Sequence, residues 1–395
     1  MNAHFNYITN QEALHELCHE IAEDRLVAFD TEFVAEDSYR PELCLVQVAV
    51  QSGIHIIDPY TTGDLTRFWK MLTEPETQVV VHAGREETLF CFRATGQLIP
   101  KLFDIQLAAA FLGQEYPASY GNLIHRYTGK TLDKEETRSD WRKRPLSNQQ
   151  MQYAAQDVKD LLRLYESMSA ELTKLNRLDW VIEETDHWKE ELQQYESNEN
   201  WHRISGIQAL GGHGLAIVRA LWLWREQRAK ERDVPARKIL RDDLLIELAR
   251  RGNGDERRMA SLRGMEHRHV KTLIPELAKV IADAQNDPIP NWPRKARYGK
   301  GQPPAMITQF LSAALASICR TKRISPAVVA TADDLRDFVK FRLEDSERDL
   351  PSPALTNGWR AEIIGKDLDD LLTGRVGLFL NPKDCDMPIR FHKAP

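Results

Sequence analysis

The chain of 395 residues contains no run approaching 18 consecutive apolar residues, which excludes a membrane-spanning helix. The N-terminal stretch MNAHFNYITNQEALHE carries acids where a secretory signal needs an apolar core. Cysteine is scarce and scattered: Cys18, Cys44, Cys91, Cys319 and Cys385, with no CxxC pair among them. Such usage provides neither a disulfide framework nor a zinc knuckle and fits a reducing cytosol. No low-complexity tract is present either. What remains is a cytoplasmic protein with no membrane partner, too long for a single core and divided into two or three domains.

Charge is present in quantity but unevenly placed. The net charge is −6. Residues 1–175 hold 17 basic and 26 acidic side chains, and 176–203 hold 3 and 8. Residues 204–300 reverse the sign with 20 basic and 12 acidic, and 301–395 balance at 13 each. An acidic front and a basic middle suit a polyanionic partner, although solvated helix faces give the same count.

The front half alternates between element types. Leu14, Leu17 and Ile21 have helical spacing. LVAFDTEFV (26–34) reads as a buried strand, and 43–50 with 54–58 reads as a hairpin about Ser52-Gly53. A helix over 64–73, a strand at 78–83, a helix from Gly84, a strand end passing into a helix at 102–113, and a helix at 119–128 follow. One long helix is expected over 147–176, capped by Ser147 with Gln150 three residues on. This is an α/β domain with a mixed sheet. Residues 183–203 are polar and acidic, a connecting helix and spacer. The chain beyond is helical by pattern, without strand signals, and is interrupted by three prolines between 288 and 293.

Two acids in the middle of LVAFDTEFV require an explanation. Asp30 and Glu32 project to the same face of a strand. Burying ionised carboxylates side by side is costly unless something compensates them. Other acids occupy places from which they could join: Glu86 and Glu87 in a helical first turn after HAG, and Asp157 one turn beyond Tyr153 on the long helix. Alone, a first-turn acid is an ordinary helix-dipole partner.

Together, FDTEF, HAG-x-E-E, LFDIQLAAAFLG, TLDKEETRSDWRKRPLS and YAAQDV resemble the DEDD 3′–5′ exonucleases, in the Tyr-bearing branch that includes the ribonuclease D family. The resemblance covers roughly residues 7–175. It implies an N-terminal ribonuclease H-like domain (1–177) whose carboxylates hold two divalent ions, Mg²⁺ or Mn²⁺, both hard cations that prefer oxygen ligands. Asp30 would bridge both ions, Glu32 and Asp157 would complete the first site, Glu87 would serve the second, and Tyr153 would orient the attacking water. The family usually has Asp where this chain has Glu87, whose additional methylene extends it by about 1.5 Å; Glu86 is the rival. The change leaves open a chain that binds RNA without cleaving it. His82, Gln47, Asp104 and Asp140 recur in the family pattern as supporting residues, with Asp104 as a helix N-cap. His82, Trp141, Arg142, Lys143 and Arg144 are candidate RNA contacts.

HELCH (15–19) also matches the zinc-protease pattern, with His15 and His19 on one helix face and Glu16 as base. No third ligand follows at a suitable spacing, and surface histidines are expected.

An acidic helical linker (178–204) leads to a module at 205–290. Its GLAIVRALWLWREQRAKERDVPARKILRDDLLIELAR resembles the HRDC domain. A Pro-rich linker (291–302), a second HRDC-like module (303–380) carrying ALTNGWRAEIIGKDLDDLL, and a tail (381–395) complete the chain, so both C-terminal modules are expected to be all-α. Trp222 and Trp224 read as core. Arg225, Arg228, Lys230, Arg232, Arg237, Lys238 and Arg241 are candidate phosphate contacts. The resemblance implies a monomeric exoribonuclease that trims 3′ ends of structured RNA, tRNA precursors with 3′ extensions above all, releasing nucleoside 5′-monophosphates. A DNA exonuclease of the same fold is the alternative.

Overall fold

The computed structural model describes residues 3–131, 139–197, 199–286, 305–343, 352–384 and 387–393. The Pro-rich linker at 291–302 and residues 132–138 of the LDKEETR run lie outside these.

Six strands form one mixed sheet: β1 (Asn6–Ile8), β2 (Leu26–Val34), β3 (Glu42–Val50), β4 (Gly53–Ile57), β5 (Gln78–Val81) and β6 (Lys101–Asp104), in the order β1-β4-β3-β2-β5-β6. The β2–β3 and β3–β4 pairs are antiparallel, the latter closing the hairpin at Ser52-Gly53. The β1–β4, β2–β5 and β5–β6 pairs are parallel. Helices cross between the parallel strands: α1 (Gln11–Asp24), α2 (Pro59–Thr62), α3 (Thr66–Leu72) and α4 (Arg85–Thr95). On α1, Leu14, Leu17, Cys18 and Ile21 are buried, while His15, Glu16 and His19 are exposed and act as surface side chains.

After β6 come α5 (Ile105–Phe111), α6 (Tyr120–Thr128), α7 (Asn148–Lys159), α8 (Leu161–Lys174) and α9 (Leu178–Ser197). The single helix expected over 147–176 is therefore two. Ser147 and Gln150 do form the capping box that starts α7. At Asp160 the backbone leaves helical geometry (φ −108°, ψ 4°). There the hydroxyl of Tyr120 donates to the carbonyl of Gln156 at 3.3 Å and accepts the N–H of Asp160 at 3.3 Å. Those two backbone groups would otherwise bond each other as i and i+4. A side chain inserted into this ladder is a recognised cause of helix kinks.

The acidic segment after 178 is no loose spacer. Val181, Thr185, Lys189 and Leu192 form one buried face of α9. The ammonium of Lys189 donates to the carbonyls of Ile99 (2.8 Å) and Pro100 (3.0 Å). Arg93 binds Glu196 with two bonds of 3.0 Å. The helix is a strut fixed to the sheet domain.

The next module comprises α10 (Gly212–Arg232), α11 (Ala236–Ile239), α12 (Asp242–Arg251), α13 (Glu256–Ala260), α14 (Arg268–Lys271) and α15 (Ile274–Asn286), around its own core of Val218, Leu221, Leu245, Met265, Leu277 and neighbours. It meets the sheet domain through polar contacts. Tyr39 bonds Asp233 (3.1 Å) and Glu226 (3.2 Å), and Lys238 bonds Asp37 (3.0 Å).

The last module comprises α16 (Ala305–Lys322), α17 (Pro326–Val329), α18 (Ala332–Leu343), α19 (Gly358–Arg360), a π-turn at Ala361–Gly365 and α20 (Lys366–Leu372). Its core is continuous with that under α5 and α8. Phe111 packs edge-on against Trp359 with ring centroids 4.8 Å apart. Ser325 N–H donates to Ala110 O (2.8 Å), and Arg360 clamps Glu184 with bonds of 2.6 and 2.7 Å. The all-α expectation for the back half fails at its end, where β7 (Val376–Leu380) and β8 (Ile389–Lys393) form an antiparallel hairpin.

Candidate active site

Three elements bring the acids together. β2 supplies Asp30 and Glu32, both half-buried, beside a β-bulge between Glu32 and Phe33 of the kind that re-aims side chains near active sites. α7 supplies Tyr153 and Asp157 from a helix packed across β2, β3 and β4. The first turn of α4 supplies Glu87, only 5% exposed.

The turn that places Glu87 is built by its neighbours. Ala83 adopts a left-handed conformation (φ 54°). The carboxylate of Asp104 accepts the N–H groups of Ala83 (3.1 Å) and Gly84 (3.0 Å) while capping α5 through Gln106 (2.8 Å) and Leu107 (3.3 Å). Any side chain at residue 84 would collide with Val81, which is why glycine stands there. Helix α4 then starts with Glu87 turned inward. Its Oε1 accepts the Thr31 hydroxyl at 2.5 Å, and it stands close enough to Asp30 to feel that residue's charge. Glu86 turns away toward Arg93, 3.8 Å off.

Among the described residues, none of Asp30, Glu32, Glu87 and Asp157 has a Lys or Arg partner. The electrostatic result is uniform. Burial, reinforced by the charge of Asp157, lifts Asp30 well above the ordinary carboxylate range. Burial and then Asp30 lift Glu87, and burial lifts Asp157. Glu32 is pushed up to about 9, by burial first and then by Asp30, Asp157 and Glu87. Burial, then the charge of Asp157, also raises Tyr153, which keeps its proton and hydrogen-bonds Asp157. Directly across the ladder from Asp30, Gln47 is fully buried with neither its side-chain nitrogen nor its oxygen bonded. As the side chains stand, no three His, Cys, Asp or Glu among the described residues close into a ligand cage. A cluster of raised-pKa carboxylates without basic partners is a functional-site signature.

The remaining candidates divide. Trp141 is 5% exposed and packs with Cys44, Ile56 and Met151, so it is core and not a stacking platform for RNA. Arg144 is taken by Asp58 (2.6 and 2.9 Å). His82 contacts the carbonyl of Ala118 at 3.0 Å and lies against Tyr120, ring centroids 5.6 Å apart; burial lowers its pKa. It supports the fold at that place. Arg225 is 5% exposed and holds Leu240 O (3.0 Å) and Asp242 (2.6 Å), so it too is structural. Arg228 pairs with Glu276 (2.7 Å), Arg241 with Asp243, and Arg142 with Asp140 (2.9 Å) and Asp37 (3.3 Å). Lys143, Lys230, Arg232 and Arg237 are exposed. Sequence reasoning missed Thr31, which fixes Glu87, and Tyr120, which opens the ladder beside Asp157. Thr31 was legible as the residue between the two strand acids.

Comparison with known proteins addresses the chain as a whole. A 3′–5′ exonuclease family model matches residues 5–173, and an HRDC domain model matches 214–281. Ribonuclease D of Acidiphilium cryptum is 33% identical over 380 residues, covering 94% of each chain. That of Gluconacetobacter diazotrophicus is 32% identical over 373 residues, covering 93% of each. The crystal structure of Escherichia coli RNase D, described as an exoribonuclease involved in structured RNA processing, superposes with a TM-score of 0.79 at 26% identity. That match covers 94% of this chain and 99% of the other.

Proposed function

Because the chain belongs to the ribonuclease D family and is a 3′–5′ exoribonuclease, we propose that it trims structured RNA, tRNA precursors with 3′ extensions foremost, by two-metal-ion hydrolysis. The observation that carries this reading is the convergence of four carboxylates from β2, α4 and α7 with no basic partner. The donor set fits hard divalent ions: all oxygen, mutually repelling, and bordered by the unbonded amide of Gln47. Asp30, Glu32 and Asp157 would hold one ion, and Asp30 with Glu87 the other. When bound, the ions neutralise the acids and supply an activated water and a stabilised leaving oxygen. Tyr153, kept protonated, orients the attacking water through its hydroxyl. Asp157 fixes that hydroxyl from one helical turn away. Thr31 fixes the Glu87 carboxylate through its hydroxyl.

A cleft of about 690 Å³ between the sheet domain and the first helical module, with Arg85, Arg203 and Arg237 but also Glu86, Glu196, Glu226 and Asp242 in its walls, is the path by which RNA would approach, although Asp30, Glu32, Glu87 and Asp157 themselves do not line it. Exposed Lys143, Lys230 and Arg232 add phosphate contacts, and Arg142 and Arg228 do so on leaving their present partners. The working unit is a cytoplasmic monomer of an exonuclease domain (1–177), a linking strut and two helical modules. No described helix is long and apolar enough to cross a membrane.

The test uses 5′-labelled RNA, a tRNA precursor and a matched DNA strand with Mg²⁺, Mn²⁺ or EDTA, beside Asp157→Ala. A metal-dependent ladder on RNA that is lost in the variant supports the reading. Binding without shortening, or equal shortening of DNA, overturns it.

A further inference from the structure

Resting on the two-ion reading, we propose that Tyr120 is a positioning residue that sets where Asp157 stands. In an uninterrupted helix the Asp160 N–H would bond Gln156 O. Here the Tyr120 hydroxyl binds both groups, at 3.3 Å each, the Asp160 N–H also turning toward Val158 O, and the bond from residue 160 to 156 stays open. Asp157 is the first residue inside that opened turn. On one side of it, α7 is committed to the sheet through Ala154, Ala155 and Val158. On the other, α8 buries Leu161, Leu164, Met168 and Leu172 beside α5. A straight helix would have to satisfy both surfaces with one axis. The inserted hydroxyl frees the two axes from each other, so α7 can bring Asp157 to β2.

The same ring reaches the other acid-bearing element. Tyr120 lies against His82 (5.6 Å between centroids), the residue that precedes the Ala83-Gly84 turn launching Glu87. One side chain thus joins the turn of Asp157 to the approach of Glu87. Burial, and then the charges of Asp160, Asp157 and Asp30, keep the phenol protonated, so it retains the proton it donates to Gln156.

The test removes one oxygen. Tyr120→Phe lets Gln156 and Asp160 close their helical bond and draws Asp157 out of place. Mn²⁺ binding is measured without RNA, from the free-ion paramagnetic resonance signal, for wild type, Tyr120→Phe, Asp157→Asn and the double variant. Tyr120→Phe should weaken Mn²⁺ binding about tenfold, the range typical of residues that orient a metal ligand. It should lower kcat comparably while leaving KM for RNA unchanged, and the double variant should bind no more weakly than Asp157→Asn alone. Wild-type affinity in Tyr120→Phe, or a further tenfold loss in the double variant, overturns the proposal. If Asp157→Asn itself binds Mn²⁺ like wild type, it is the two-ion reading that fails. Melting in EDTA reports folding. Should Tyr120→Phe not fold, 3,5-difluorotyrosine at 120 keeps the shape but weakens the hydroxyl as an acceptor, and unchanged Mn²⁺ affinity there overturns the proposal equally.

Discussion

Glu32→Gln should destroy activity and yet stabilise the metal-free protein at alkaline pH. Glu32 is lifted from its ordinary 4.5 to about 9 in the fold. An acid raised in this way binds its proton more tightly when folded. Its stabilising contribution is complete below about pH 4.5 and is lost as pH rises through about 9. At about 1.4 kcal/mol per pH unit the full displacement sets a ceiling of about 6 kcal/mol. Glu32 is only half-buried, and solvent screening reduces the realised effect to about 2 kcal/mol. Glutamine keeps the shape and never ionises. In EDTA at pH 9 the variant should therefore melt roughly 4–8 °C above wild type, and the gap should close by pH 5. Saturating Mg²⁺ should reverse the order, because only wild type gains the ion's binding energy. The assay is thermal melting by circular dichroism across pH 5–9 with EDTA or Mg²⁺. A variant no more stable than wild type at pH 9, or a gap that persists at pH 5, would refute the reasoning.

Thr31→Val removes the hydroxyl that holds Glu87 and should lower kcat about tenfold while the melting temperature shifts little; steady-state kinetics on labelled RNA check this. Trp141→Ala should cost about 3–5 kcal/mol of stability in urea melts, while RNA affinity of the folded fraction, followed by fluorescence anisotropy, stays within twofold. Arg360→Met leaves the Glu184 carboxylate without its cation, held only by the Trp359 N–H, and should cost about 2–4 kcal/mol, read as a lower melting temperature of the body that the last module and the sheet domain share. Mg²⁺ addition at pH 7 should release protons from the raised carboxylates, detectable as a calorimetric heat that changes with buffer ionisation enthalpy.

How much was legible follows from what each signal encodes. The apolar run in LVAFDTEFV and the hairpin at Ser52-Gly53 report local geometry, and both appear where expected. The acids stood out because a strand core does not tolerate them without cause. The break between α7 and α8 was not legible. Met151, Ala154, Val158, Leu161, Leu164 and Met168 keep helical spacing straight through it, and the cause is the hydroxyl of Tyr120, 36 residues before Gln156 and 40 before Asp160. Trp141 and Arg225 were misassigned for a related reason, since composition counts an aromatic or a charge without saying what it touches. For Arg225 a signal existed: it lies one helical turn from both Leu221 and Ala229, on the buried stripe of α10. The strut α9 showed the same spacing in Val181, Thr185 and Lys189, obscured by its acidic composition. The terminal hairpin had weak alternation in IRFHK.

The two helical modules are attached in different ways. The last shares its core with the sheet domain, whereas the middle one has a core of its own and meets the sheet domain through a few polar contacts around Asp37 and Tyr39. The middle module is therefore covalently tethered at both ends to a body it only lightly touches. Were it displaced, that would be the opening of a loop and not a dissociation, and its return would be intramolecular. Parting the two bodies there would cost one ion pair, Lys238 to Asp37, and the contacts of Tyr39, with no part of the chain ever set adrift.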